Sequence, residues 1–288
     1  MGSALLQSPE DNIAGNNSLP GSPETSRADV ATVSQIVLVV EYDGSRYAGF
    51  QLQRNHPTIQ GELEKGLEKL TGCFSRVYGS SRTDSGVHAY GQVVSFKTGS
   101  CLQTRDFVGG MNYYLPSDIS VKVAYRVREG FDVRRRAVSR RYRYYILNRD
   151  SRAPLRDAYS VQIRGKLDVT AMNTACGYLV GTHDFSSFAS PTEPLRSTTR
   201  RVIKAGVSRI DEDGMVVVEI EANAFLPHQV RNTVGPLIRI GRGQMTPEAL
   251  KDIMNAHTVG LAQPTAPSKG LILHKVNYTR ELKEESLE

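Results

Sequence analysis

The sequence predicts an α+β protein, built as two related halves in which helices pack against largely antiparallel sheets. Three observations point there. β-branched and alternating runs interleave with amphipathic stretches without a strict strand-helix-strand rhythm, several strand-like runs follow one another directly, and the pattern restarts near Arg128–Gly130. A chain of 288 residues is long enough for one large domain or two modest ones, each with a real core.

The elements follow in order. Ile36 to Tyr42 is a β-branched run suited to a buried strand. Thr58 can cap a helix whose Ile59, Leu63, Leu67 and Leu70 fall on one face, with Gly72 ending it. Gln92 to Lys97 reads as a strand, Thr104 to Leu115 as a second helix, and Ile119 to Val127 as an alternating strand. After the restart, Ser139 to Leu147 alternates, and Asp168 caps a helix carrying Met172, Cys176 and Leu179 before Gly181. Met215 to Ala222 is a Val-rich strand, and a helix from about Gln229 carries Val230, Val234, Leu237 and Ile238. Thr246 and Pro247 open another helix with Leu250, Ile253 and Met254 inward, and Leu271 to Tyr278 is the closing strand. The expected divisions are a disordered tail over 1–33, a first half over 34–129, a second half over 130–281 and a short C-terminal tail over 282–288.

Composition narrows the function classes. With 39% hydrophobic and 23% charged residues the chain is close to an ordinary soluble protein, and a collagen, a wholly disordered chain and a membrane bundle are poor readings. No apolar run approaches the ~18 residues of a spanning helix. The tail is rich in Ser, Pro, Asn and Gly, and its Glu10, Asp11, Glu24 and Asp29 against Arg27 do not make a mitochondrial presequence. It lacks the apolar stretch of a secretory signal, and Leu6 stands where a myristoylation motif needs Ser or Thr, so a cytoplasmic location is expected. Cys73, Cys101 and Cys176 are odd in number and far apart, which fits a reducing compartment and neither a disulfide framework nor a zinc site. A net charge of +6 suits an anionic partner without identifying one.

Chemistry concentrates in three segments. Gly79 to His88 is a polar loop carrying Asp84 with Arg82 beside it, which reads either as a reactive carboxylate or as a turn whose Asp84 accepts from local amides. Arg134-Arg135-Arg136 precedes Arg140-Arg141-Tyr142-Arg143-Tyr144-Tyr145. On a strand, Arg140, Tyr142, Tyr144 and Ile146 share one face and Arg141, Arg143 and Tyr145 the other. Guanidinium groups beside flat rings suit an unstacked nucleotide, while the plainer alternative is a solvated basic edge strand. The third segment, Asn223 to Asn232, passes from a strand into a helix with Arg231 in its first turn.

In order, Glu41-Tyr42-Asp43-Gly44, Gly49-Phe50-Gln51-Leu52-Gln53 and Ser81-Arg82-Thr83-Asp84-Ser85-Gly86-Val87-His88-Ala89 resemble the TruA family of tRNA pseudouridine synthases. The resemblance continues through Leu115-Pro116-Ser117-Asp118-Ile119, Phe131 to Arg134, Arg141-Tyr142-Arg143-Tyr144, Gly181-Thr182-His183-Asp184-Phe185, Asn223-Ala224-Phe225-Leu226, Val230-Arg231-Asn232 and Gly270-Leu271-Ile272-Leu273. It runs from about Ile36 to Tyr278. The chain departs from the family at Phe50, where Trp is usual, at Ser81, where Gly is usual, and at Pro227, where a basic or imidazole residue is usual.

The resemblance implies isomerisation of uridine to pseudouridine on the 3′ side of the tRNA anticodon stem-loop, by a homodimer in which one tRNA spans both subunits. It implies Asp84 as nucleophile or base, Arg231 as its ion-pair partner, Tyr142 as the ring stacked on the target uracil, and Arg82 as the group filling the place of the flipped nucleotide. These residues come from both halves, so the site is expected in the cleft between them. The reaction gains and loses no atom, so neither cofactor nor metal is expected, in keeping with a sequence that has no phosphate-cradling loop and no metal cluster. Two rival classes stand beside it. An aspartic protease would need a second Asp-Ser/Thr-Gly, and none exists. A noncatalytic tRNA-binding or RNA-folding protein would share the basic cleft and differ in leaving the uracil C5 hydrogen in place.

Overall fold

The computed structural model describes residues 33–190, 197–210 and 213–279. The expectations for the two tails therefore fall outside the described residues, Val33 excepted. The chain runs β1 (Ser34–Tyr42), α1 (Ile59–Thr71), β2 (Tyr78–Gly79), β3 (His88–Thr98), α2 (Thr104–Tyr114), β4 (Ile119–Val127) and β5 (Ala137–Leu147). It continues through β6 (Val161–Gln162), α3 (Val169–Gly177), β7 (Gly181–Asp184), β8 (Thr199–Arg209), β9 (Met215–Ala222), α4 (Gln229–Gly241), α5 (Pro247–Asn255) and β10 (Leu271–Tyr278).

The ends of α1 show why local sequence suffices there. The Thr58 hydroxyl accepts from the Gly61 amide, and Gly72 closes the helix at φ 73°, a conformation that costs glycine little. Asp168 and Thr246 cap α3 and α5 in the same way, accepting from the amides of Ala171 and Ala249. The α3 helix stops at Gly177 rather than near Gly181, which instead opens β7.

The strands form one continuous sheet in the order β4-β1-β3-β10-β5-β9-β8-β7, with β2 added on β3 and β6 on β5. Pairing is antiparallel except for β3 with β10 and β5 with β6. The five helices and the largely antiparallel sheet of the described residues agree with the α+β class expected. Residues 34–127 build one end of the sheet and residues 137–278 the rest, joined where Ile272 and Leu273 pair with His88 and Ala89. That join places the segment just before His88 beside the middle of the sheet. The buried core runs through both ends, from Ile36, Leu38 and Phe107 to Tyr144, Val218 and Leu237.

The arginine-rich strand β5 lies between β10 and β9, so the reading of a basic edge strand is wrong. Its alternation is as expected, with Arg140, Tyr142, Tyr144 and Ile146 buried and Arg141, Arg143 and Tyr145 half-buried on the other face.

Candidate active site

The loop carrying Asp84 is held by buried polar groups. Gln92, on β3 and without solvent exposure, accepts at Oε1 from the Ser80 hydroxyl at 2.8 Å and the Ser81 amide at 3.3 Å. Its Nε2 donates to the Ser81 carbonyl at 2.8 Å. The Thr83 and Tyr42 hydroxyls are 2.8 Å apart in the core. From the other side, the Phe50 amide donates to the Thr83 carbonyl at 3.0 Å. That approach needs Gly49, at φ 103°, because a Cβ there would lie 2.7 Å from the same carbonyl oxygen. Gly86 at φ 73° completes the turn, and the Val87 amide donates back to the Asp84 carbonyl at 3.1 Å.

Arg140 ties this loop to the strands. It is 7% exposed, and its guanidinium donates to the carbonyls of Ser80 (3.2 Å), Arg134 (2.6 Å), Ala137 (3.2 Å) and Asn223 (2.7 Å). Burial holds its pKa below the usual arginine range. Its role is to fasten three chain segments together. Arg141 and Arg143 are occupied too: Arg141 Nη2 lies 2.7 Å from Glu221, and Arg143 Nε lies 2.7 Å from Glu219. The strand's own arginines are thus committed within the protein. The exposed guanidinium groups of this region are those of Arg134, Arg135 and Arg136, just before the strand.

The sequence-derived residues meet around a cleft of about 920 Å³ lined by Arg82, Asp84, Arg134, Arg140, Tyr142, Arg200 and residues 224–231. Arg231 Nη1 donates to Asp84 Oδ2 at 3.2 Å, while its Nε donates to the Ala266 carbonyl at 2.8 Å, so the guanidinium is anchored from behind. Tyr142 is 7% exposed and meets the edge of Phe225 with ring centroids 5.2 Å apart and planes at 89°. Burial pushes its phenol up to about 12. Arg82 is exposed, has no ion-pair partner among the described residues, and lines both this cleft and an adjoining cavity of about 420 Å³.

Sequence reasoning missed His228. Its Nε2 lies 3.6 Å from Asp84 Oδ2, and its ring lines both cavities. It stands at the N-cap of α4 with φ 60° and ψ 0°, a left-handed conformation rare for a residue with a side chain. Nothing local in Phe-Leu-Pro-His announces that geometry, and the partner carboxylate is far away in sequence. Arg200 was missed because its strand was. Its Nε is buried without a partner among the described residues, and burial lowers its pKa.

Among the described residues the arrangement offers one carboxylate beside five guanidinium groups, a nearly buried ring and an imidazole, in a cleft with volume enough for a nucleotide. Such a set of groups attracts phosphate while placing the Asp84 carboxylate among the cations. Among the described residues no group of three His, Cys, Asp or Glu side chains could hold a metal ion, and no helix is long and apolar enough to cross a membrane.

Comparison with known proteins points the same way. A family model described as tRNA pseudouridine synthase matches residues 38–134 and 175–279. The chain is 39% identical over 244 residues to tRNA pseudouridine synthase A of Myxococcus xanthus, covering 85% of this chain and 92% of that one. It is 40% identical over 243 residues to the protein of the same name from Geobacter sulfurreducens, covering 84% and 99%. With the Photobacterium profundum protein of that name, identity is 40% over 247 residues, covering 86% and 94%. The chain belongs to the tRNA pseudouridine synthase family, the isomerases that convert uridine to pseudouridine.

Proposed function

We propose that this chain isomerises uridines on the 3′ side of the tRNA anticodon stem-loop, acting in the cytoplasm as a homodimer, with Asp84 as the catalytic carboxylate. The observation that carries the assignment of Asp84 is its pairing with Arg231 at 3.2 Å inside a cleft that four further arginines line among the described residues. The stem-loop target, the dimer spanning one tRNA and the location rest on the resemblance to the TruA family.

The residues divide the work as follows. Arg82, exposed and lining both cavities, takes the place of the nucleotide that leaves its stack, an opening that costs a few kcal/mol. Tyr142 offers the face on which the uracil lies, with Phe225 bracing its ring. Asp84 attacks or abstracts as a carboxylate, and Arg231, held by the Ala266 carbonyl, keeps that carboxylate aimed into the cleft. The N-glycosidic bond breaks, the base turns, and C5 joins C1′. Atoms balance without an added group, so the reaction calls for no redox cofactor.

The test is tRNA carrying tritium at uracil C5, incubated with the purified chain. Release of tritium to water, together with pseudouridines mapped to the 3′ side of the anticodon stem-loop, is the expected result. Tight binding without release would mean the noncatalytic reading, and modification confined to other stems would overturn the target.

A further inference from the structure

Pseudouridine formation has a second half that the residues so far assigned leave without an agent. Once C5 has joined C1′, that carbon carries both its hydrogen and the sugar, and the ring holds an N1=C6 double bond. Finishing the reaction requires loss of the C5 proton. Its electron pair becomes the C5=C6 bond, the N1=C6 pair moves onto N1, and N1 takes a proton from water. A base is therefore needed within reach of the carbon that Asp84 has just served.

The cleft holds few candidates. Arg82, Arg134, Arg140, Arg200 and Arg231 line it, and guanidinium groups do not accept protons. The Tyr142 phenol, pushed up to about 12 by burial, is almost never the phenolate a base would have to be. Among the described residues lining the cleft, Asp84 and His228 are what remains. Asp84 is already engaged as the carboxylate of the first half and is paired with Arg231, which leaves the imidazole, a side chain that commonly serves as a general base.

Position favours the imidazole as well. His228 Nε2 is 3.6 Å from Asp84 Oδ2, and the ring is about one-third exposed. Arg231 approaches the same carboxylate oxygen, and Arg82 and His56 line the adjoining cavity with the imidazole. The left-handed backbone at His228 is one that glycine adopts far more readily, and it is the conformation that carries this ring to the carboxylate.

We infer that His228 is the base that takes the proton from C5 of the re-joined uracil, a step that rests on Asp84 being the catalytic carboxylate. The imidazolium so formed lies against Asp84 and returns the proton to water from its exposed side.

The experiment uses His228→Gly, because glycine accepts φ 60° without strain and the helix start should form as before. Wild type and variant are compared on one tRNA, labelled at C5 with hydrogen or deuterium, in single-turnover reactions with and without added imidazole. The variant should bind tRNA like wild type and keep its thermal midpoint. It should turn over about 100-fold more slowly, show a deuterium effect larger than wild type's, and recover rate when imidazole is added. A purely structural role would produce neither the larger isotope effect nor the rescue. If the variant matched wild type, or was slow with no added isotope effect and no rescue, the assignment to His228 would be overturned while the proposed function stood. If wild type itself left C5 untouched, both would fall.

Discussion

Arg231 Nη1 lies 3.2 Å from Asp84 Oδ2, joining residues 147 positions apart, and the same guanidinium is fixed from behind by the Ala266 carbonyl. Two anchors on one fork give direction as well as charge, which a lysine could not reproduce. The carboxylate is 26% exposed and the arginine 17%, so the pair is reachable from the cleft yet partly shielded from screening.

Asp84→Asn should abolish pseudouridine formation while the chain still folds. Asn keeps the shape and can accept the same hydrogen bonds, but it is neither a carboxylate nucleophile nor a base. With the negative charge gone, Arg231 and Arg82 are freer to hold phosphate, so tRNA affinity should equal or exceed that of wild type. A tritium-release assay and a filter-binding titration on the same preparation check both halves. Substantial residual turnover would mean that Asp84 only braces its turn.

Tyr142→Ala should slow turnover by at least ~10-fold, since base stacking on an aromatic ring is worth about 1 to 3 kcal/mol. Because the ring is nearly buried against Phe225, the alanine variant should also lose thermal stability, unlike a purely surface platform. Tyr142→Phe keeps the ring and should retain tRNA binding. Equal rates for alanine and wild type under single-turnover conditions would remove the stacking role.

Much of this architecture is legible in the sequence where the signal is local. Thr58 with Gly72, Asp168, and Thr246 with Pro247 mark helix starts and ends through caps that need only neighbouring residues. What is not local is hidden. The strand β8, Thr-Arg-Arg-Val-Ile-Lys-Ala-Gly-Val-Ser-Arg, buries fully only Val202 and Val207, so its sequence lacks the alternation that marks a half-buried strand. The arginines of β5 read as a nucleic-acid surface because their actual partners, Glu219 and Glu221, come from another strand more than 70 positions later. The resemblance supplied Asp84 and Arg231 as a pair, and composition alone would not have joined them. His228 needs both a left-handed backbone and a distant carboxylate, and neither is written in its neighbours.

Gln92→Leu should damage the site from within the core. The fully buried amide serves the Ser80 hydroxyl, the Ser81 amide and the Ser81 carbonyl. A leucine of similar size leaves those groups unsatisfied, at about 1 to 3 kcal/mol for each one stranded away from water. The urea midpoint should fall. Turnover should fall further than tRNA affinity, because the loop that aims Asp84 loosens while the phosphate-binding arginines remain. A variant with wild-type stability and rate would show that Gln92 does not hold the loop.

The arginines before and within β5 should behave oppositely on tRNA. Arg135 and Arg136 are exposed, the first 3.6 Å from Asp132 and the second over the Phe131 ring at 5.7 Å, so both are available to phosphate at little cost. Replacing both with Gln should reduce the steepness of log affinity against log salt by about 1 to 2, with little change in the unfolding midpoint. Arg141 and Arg143 are only about one-third exposed and paired with Glu221 and Glu219. Changing these two to Gln should leave the salt slope nearly as it was and lower stability, since each glutamate loses its guanidinium partner while remaining largely covered. The two double variants, titrated with tRNA at several salt concentrations and melted side by side, separate a phosphate surface from an internal ion-pair network. A slope reduced by the β5 pair and untouched by Arg135 and Arg136 would reverse the assignment and place the phosphate contact on the opposite face of the sheet from Tyr142.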